Sequence, residues 1–166
     1  IEKSPCYICA RMRRGYLYSK AQELGCNKIA LGHHFDDAIE TVLMGMLYGA
    51  QIQTMMPMIH SQNFEGMDLI RPMIYIREKD IIAWKDTYKL QFLACACKFT
   101  EQNYNKGSDK ETQSMRKWTK NLISEMENHN KQIPDNIFRS MSNVNLSQVI
   151  GYKDKDGKRH NFLEDF

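Results

Sequence analysis

The densest run of ionisable side chains in this 166-residue chain is His33-His34-Phe35-Asp36-Asp37, with Glu40-Thr41 one turn further on. Imidazoles and carboxylates this close together can pass protons, hold a divalent cation against phosphates, or simply cap a helix. A cap and dipole compensation need one acidic residue, so His-His-x-Asp-Asp points to more than capping. Sulfur supplies a second constellation. Cys6-x-x-Cys9 has the spacing at which two thiolates share a metal or a cluster, or form a redox disulfide. Arg11, Arg13 and Arg14 follow it directly and favour ligation by thiolates. Cys95-Ala-Cys97 is a third constellation, and residues i and i+2 of a strand face alike. Four convergent sulfurs would suit tetrahedral zinc, whereas three would leave one iron of a four-iron cluster open to an exogenous ligand.

The elements that position these groups follow from hydrophobic period and breakers. Lys28 to Leu31 is a short apolar run closed by Gly32 and reads as a buried strand. Ala38, Ile39, Val42, Leu43, Met46 and Leu47 recur at helical spacing, which predicts a helix over Asp36–Tyr48 ended by Gly49. The two histidines and two aspartates therefore lie where a strand stops and a helix starts, the edge at which open α/β sheets bind ligands. A helix is expected over Cys6–Leu24, with Pro5 at its first turn, Gly25 at its cap, and a ragged apolar stripe of Ile8, Met12, Leu17, Ala21 and Leu24. Cys26, at the next junction, reads as a small buried hydrophobe. Met55, Met56, Met58 and Ile59, a polar turn at 61–66, and Met67 to Met73 predict a hairpin whose methionines pack inward, with Pro72 ending the second strand. Arg77-Glu-Lys-Asp80 opens another helix, and Gln91 to Ala94 reads as a strand leading to Cys95. A polar loop then precedes a helix over Thr112–Asn128 with Met115, Trp118, Leu122, Ile123 and Met126 inward, and Pro134 starts a short helix through Met141. Helix–strand–helix in succession is α/β grammar. Residues 1–100 are read as α/β and residues 101–166 as a helical extension and tail of the same domain.

Composition narrows the class. Hydrophobic residues make up 42% and charged residues 26%, no apolar run is long enough to span a membrane, and residues 1–18 do not read as a signal peptide. Five cysteines without secretion signals favour a reduced, cytoplasmic setting. The net charge is only +3, but residues 1–31 hold six basic side chains against Glu2 and Glu23. That excess suggests a polyanion near the first helix, with Arg11, Arg14 and Lys20 as candidate contacts, although a solvated face gives the same count.

Gly-His-His-x-Asp-Asp-x-x-Glu-Thr after Cys-x-x-Cys-x-Arg-x-Arg-Arg-Gly resembles the PP-loop ATP pyrophosphatase family, and most closely the tRNA 2-thiocytidine synthetases (TtcA) and TtcA-like proteins. The resemblance extends through Arg71-Pro72, Arg77 to Ile81 and Cys95, and more weakly into Phe138 to Asn145. It implies a Rossmann-like α/β domain of the adenine nucleotide alpha hydrolase (HUP) type. Such an enzyme adenylates a tRNA base with ATP and Mg²⁺, releases pyrophosphate, and replaces an oxygen with sulfur delivered through a 4Fe-4S cluster. By position, Cys6, Cys9 and Cys95 would be the cluster ligands, with Cys97 a competitor because this chain has Cys-x-Cys in place of the commoner Cys-x-x-Cys. Asp37 and Asp36 would sit at the adenylation centre. Arg13 and Arg14 would face phosphate or the tRNA backbone, and His33, His34 and Thr41 the nucleotide. Partners implied are tRNA and a sulfur donor, either a cysteine desulfurase or sulfide. Lysidine synthetase shares the His-His-x-Asp-Asp stretch but has no need of paired cysteines, and a zinc-binding or tRNA-binding module is the non-catalytic alternative.

The family's Ser-Gly-Gly-x-Asp-Ser signature, which cradles pyrophosphate on backbone N–H groups, does not occur in the chain. The chain also opens on Ile1 rather than methionine. The expectation is the C-terminal portion of a longer enzyme: a parallel sheet incomplete on its N-terminal side, inactive alone on ATP, and prone to homodimerise through an exposed apolar edge.

Overall fold

The computed structural model describes residues 5–92 and 110–165. In chain order its elements are α1 (Pro5–Glu23), β1 (Lys28–Ala30), α2 (Phe35–Gly49), β2 (Met58–His60), β3 (Asp68–Ile70), α3 (Glu78–Thr87), α4 (Lys110–His129), α5 (Ile133–Ser140), β4 (Gly151–Lys153) and β5 (Arg159–Asn161), with 3₁₀ turns at Leu146–Gln148 and Phe162–Asp165.

The α/β character expected from the sequence is present. β1 runs parallel to β3, with Ile29 opposite Leu69, and α2 lies between them in the chain. The sheet is mixed rather than wholly parallel, because β2 adds to the far side of β3 as the antiparallel partner of a hairpin. The order β1-β3-β2 leaves β1 and β2 as edges among the described residues.

The core gathers on α2. Phe35, Ala38, Ile39 and Val42 share one buried helix face, and Phe35, Ile39 and Ile123 of α4 form a cluster onto which Leu43, Met126, Ile137 and Phe138 pack. Phe35 stacks on Phe138 of α5 with ring centroids 4.8 Å apart. α4 and α5 thus pack on the helix that follows the sequence's most polar junction. Full burial of a side chain such as Ile39 contributes about 2 kcal/mol.

Chain breakers act largely as expected. α1 ends in a Schellman motif: Gly25 takes φ +70°, the Cys26 N–H donates to Ala21 O at 2.8 Å, and the Gly25 N–H donates to Gln22 O at 2.9 Å. Gly49, expected to terminate α2, is instead its last residue, and Ala50 takes the left-handed cap at φ 48° with its N–H donating to Gly45 O.

Several packing expectations are corrected. Cys26 is exposed, because the αL turn that caps α1 carries it outward. Ile8, Met12 and Leu17 on α1, and Leu24 just beyond it, are exposed rather than forming a buried stripe, and Met56 and Met58 are exposed as well. Trp118 is half exposed and meets Tyr48 in a T-shaped ring contact, while Thr119 is fully buried in its place. The inward stripe of α4 runs through Met115, Thr119, Ile123 and Met126, a phase that leaves Trp118 on the flank. Gln91 and Phe92 are not in a strand, and the remainder of that expected strand lies outside the described residues. Within residues 101–166, read as a helical extension and tail, the β4–β5 hairpin forms near the C-terminus.

Candidate functional site

β1 delivers the chain to the junction, where the Leu31 N–H continues the ladder by donating to Ile70 O at 2.9 Å. His34 is extended (φ −123°, ψ −178°) and serves as the N-cap of α2. Its Nδ1 accepts from the Asp37 N–H at 3.4 Å, while Asp37 Oδ2 accepts from the His34 N–H at 3.1 Å. This is a capping box in which histidine and aspartate replace the usual Ser/Thr and Glu. As acceptor, Nδ1 of His34 carries no proton, so this geometry places the imidazole proton on Nε2, 3.4 Å from Asp37 Oδ2. Thr41 Oγ1 donates to Asp37 O at 2.7 Å inside the helix.

Neither aspartate is left bare. Asp36 accepts from Arg77 Nε at 3.1 Å and from the Glu78 N–H at 2.7 Å, so it caps α3 as well as pairing with a cation. Arg77 turns its other nitrogens to Glu127 of α4, at 3.0 and 3.3 Å, and its Cζ lies 5.3 Å from the Phe35 ring centroid. Burial works against the charge of Arg77, but hydrogen bonds to Glu127 and the charge of Asp36 outweigh it and hold its pKa above the ordinary value. Those bonds hold Glu127 below the usual carboxylate range. Arg116 of α4 makes the second bridge, with Nε to Glu40 Oε2 and Nη2 to Asp37 Oδ1, both at 2.8 Å. Glu40, 5% exposed, is thereby a satisfied buried charge.

His33 faces the other way. Its Nδ1 accepts from Arg71 Nε at 3.4 Å, and Arg71 also donates to Met56 O. Burial first, and then the Arg71 charge, push the His33 imidazole toward its neutral form. It is therefore suited to accept or relay a proton rather than to act as a cation.

The structure brings His33, His34, Asp36, Asp37 and Thr41 to one junction and places Arg11, Arg13, Arg14 and Lys20 on α1. The guanidinium groups that meet Asp36 and Asp37 are Arg77 and Arg116, not Arg13. Lys20 pairs with Glu23. Cys9 is a free, exposed thiol, and positions 6 and 9 stand three apart on the first turns of α1. Cys95 and Cys97 lie outside the described residues. Among the described residues, no group of three or more His, Cys, Asp or Glu is arranged to hold a metal ion. The residues missed from the sequence are the cations. Arg77 carried a signal, sitting before a run that opens a helix, but Arg116 and Glu127 are ordinary charges on an amphipathic helix until α4 docks.

A family model described as a PP-loop domain matches residues 8–106, more than half of the chain. The chain belongs to the PP-loop domain family. It is 41% identical over 151 residues to a tRNA-cytidine(32) 2-sulfurtransferase of Coxiella burnetii (strain CbuG_Q212), covering 91% of this chain and 55% of that protein. The protein of that name in Legionella pneumophila (strain Corby) is 35% identical over 148 residues, with 89% and 48% covered. The chain thus spans about half the length of these relatives. Among solved structures it resembles the U34-tRNA thiolase NcsA from Methanococcus maripaludis with its 4Fe-4S cluster, at TM-score 0.62 over 93% of this chain and 47% of that one. At 18% identity that likeness is one of fold. No helix among the described residues is long and apolar enough to cross a membrane.

Proposed function

We propose that this chain is part of an ATP-dependent tRNA thiolase that adenylates a cytidine and replaces its oxygen with sulfur. The observation that carries the reading is 41% identity across 91% of the chain to a tRNA-cytidine(32) 2-sulfurtransferase. The junction chemistry supports it. Arg77 and Arg116 bring two guanidinium groups to the first turn of α2, where the helix dipole already favours anions. A nucleotide phosphate arriving there would exchange with a carboxylate for guanidinium bonds. Asp36 and Asp37 then hold these cations in place, Mg²⁺ accompanies the nucleotide, and His33, His34 and Thr41 border its site. Arg13, exposed on α1, is assigned to phosphate or the tRNA backbone.

Cys6, Cys9 and Cys95, with Cys97 as the alternative third ligand, are the residues assigned to a 4Fe-4S cluster. The helix fits that group at Cys9, the one assigned ligand whose thiol is described: it is exposed, and no acidic residue occupies the first turn of α1. Three thiolates from these residues would hold such a cluster, and it would supply an iron able to bind a sulfur species. The sulfur donor is a cysteine desulfurase or sulfide, and the setting is the cytoplasm. The exposed Met58 and Ile59 of edge strand β2 support a homodimer. Anaerobic iron and sulfide reconstitution tests the assignment: broad visible absorption lost in Cys6→Ala fits the thiolase, whereas stoichiometric zinc without iron uptake would leave only a binding module.

A further inference from the structure

One cleft lies apart from the capping box and the ion bridges. Arg11, Arg14, Gly15 and Tyr18 of α1 face Ser61, Asn63 and Phe64 of the β2–β3 loop across a space of about 380 Å³, within the range of small-ligand sites. Its wall is an aromatic pair, Tyr18 and Phe64, stacked with centroids 4.8 Å apart and planes 13° apart, and both rings remain part-exposed. Arg11 makes no ion pair among the described residues, although the chain holds 20 acidic side chains. Ser61 Oγ accepts from the Phe64 N–H at 3.2 Å, which fixes the loop and leaves the hydroxyl proton free to donate.

The floor is the most telling part. Gly15 sits within α1, where glycine costs about 1 kcal/mol relative to alanine. No atom lies within 4 Å of the position its Cβ would take. Packing does not require a glycine there, and its effect is to keep the cleft open to an incoming group.

We propose that this cleft is a subsite for one unpaired ribonucleotide of the RNA substrate, with Arg11 and Arg14 on its phosphate, Ser61 and Asn63 on its polar edges, and its base against the Tyr18–Phe64 pair. Guanidinium groups beside an aromatic platform suit single-stranded RNA, whose splayed bases offer a π-face that duplex RNA hides. The choice of RNA rests on the thiolase reading.

The test is binding, by the full-length protein of which this chain is proposed to be part, of an RNA hairpin with a single-stranded loop, the blunt duplex of its stem, and AMP as competitor. The subsite predicts preference for the hairpin and about tenfold weaker hairpin binding for Gly15→Leu and for Phe64→Ala. It also predicts a salt-dependence slope smaller by about one for Arg11→Ala. Leucine fills open space and favours the helix, so Gly15→Leu should melt no lower than the parent, and its loss of affinity cannot be ascribed to unfolding. Hairpin affinity unchanged in Gly15→Leu would overturn the proposal, as would duplex binding equal to hairpin binding or displacement of the hairpin by AMP at like concentration. Sulfur incorporation into tRNA, measured in parallel, separates the two readings. Groove variants that lose the hairpin while the parent never thiolates would sink the thiolase alone. A parent that thiolates, with variants that bind and thiolate equally well, would sink the subsite alone.

Discussion

Arg77 Nε sits 3.1 Å from Asp36 Oδ1, and the same guanidinium reaches Glu127 at 3.0 Å. One cation therefore ties the first turn of α2 to the last turn of α4, while Asp36 caps the start of α3. All three side chains are at least three-quarters buried, so water screens them only in part.

Arg77→Ala removes the cation shared by two part-buried carboxylates, leaving Glu127, among the described residues, only the exposed Lys79 at 3.8 Å. The expected loss is about 2 kcal/mol, or roughly 4–8 °C in melting temperature for a chain of this size. Arg77→Lys should recover less than half, since an ammonium cannot fork between two carboxylates. Thermal melts of both variants check this, and equal melting of Arg77→Ala and the parent would contradict it.

Acid should loosen this clamp in a defined direction. Hydrogen bonds from Arg77 hold Glu127 below its ordinary pKa in the folded state. The stability it contributes is present above the ordinary carboxylate pKa and is lost as pH falls through the lowered folded value. His33, held toward neutrality by burial, adds a loss in the same direction, beginning just below its ordinary pKa. Glu127→Gln should flatten the acid limb of a stability–pH profile and leave the His33 limb in place. An acid limb as steep as the parent's would count against the clamp.

The turn after α2 carries two opposite predictions. Ala50 holds φ 48°, a conformation glycine adopts freely, so Ala50→Gly should stabilise by about 0.5–1 kcal/mol. Gly45 lies inside the same helix, yet a Cβ there would meet Gln51 O at 2.9 Å. Gly45→Ala should therefore destabilise despite alanine's better helix propensity. Melting shifts of the same sign for both would contradict this turn geometry.

How much of this could be read beforehand depended on whether the signal was local. The helix starting near Asp36 and the cap at Gly25 follow from apolar period and breaker residues, and both are present. The role of Asp36 was not legible, because its partners Arg77 and Glu78 come 41 and 42 positions later. Arg116, 76 positions from Glu40, was still less so. Trp118 misled for a different reason: hydrophobicity alone set it inward, whereas the phase of α4 against α2 turned Thr119 to the core. Phe64 read as part of a polar turn and gained its place only when the loop folded against Tyr18.

The central claim is that this chain carries the sulfur chemistry of a tRNA thiolase. It is tested most directly by nucleoside mass spectrometry of tRNA incubated with the full-length enzyme of which this chain is proposed to be part, reconstituted anaerobically and supplied with ATP and sulfide. Appearance of 2-thiocytidine, abolished in Cys9→Ser, is the predicted result. No thionucleoside, or an equal yield from Cys9→Ser, would contradict the account.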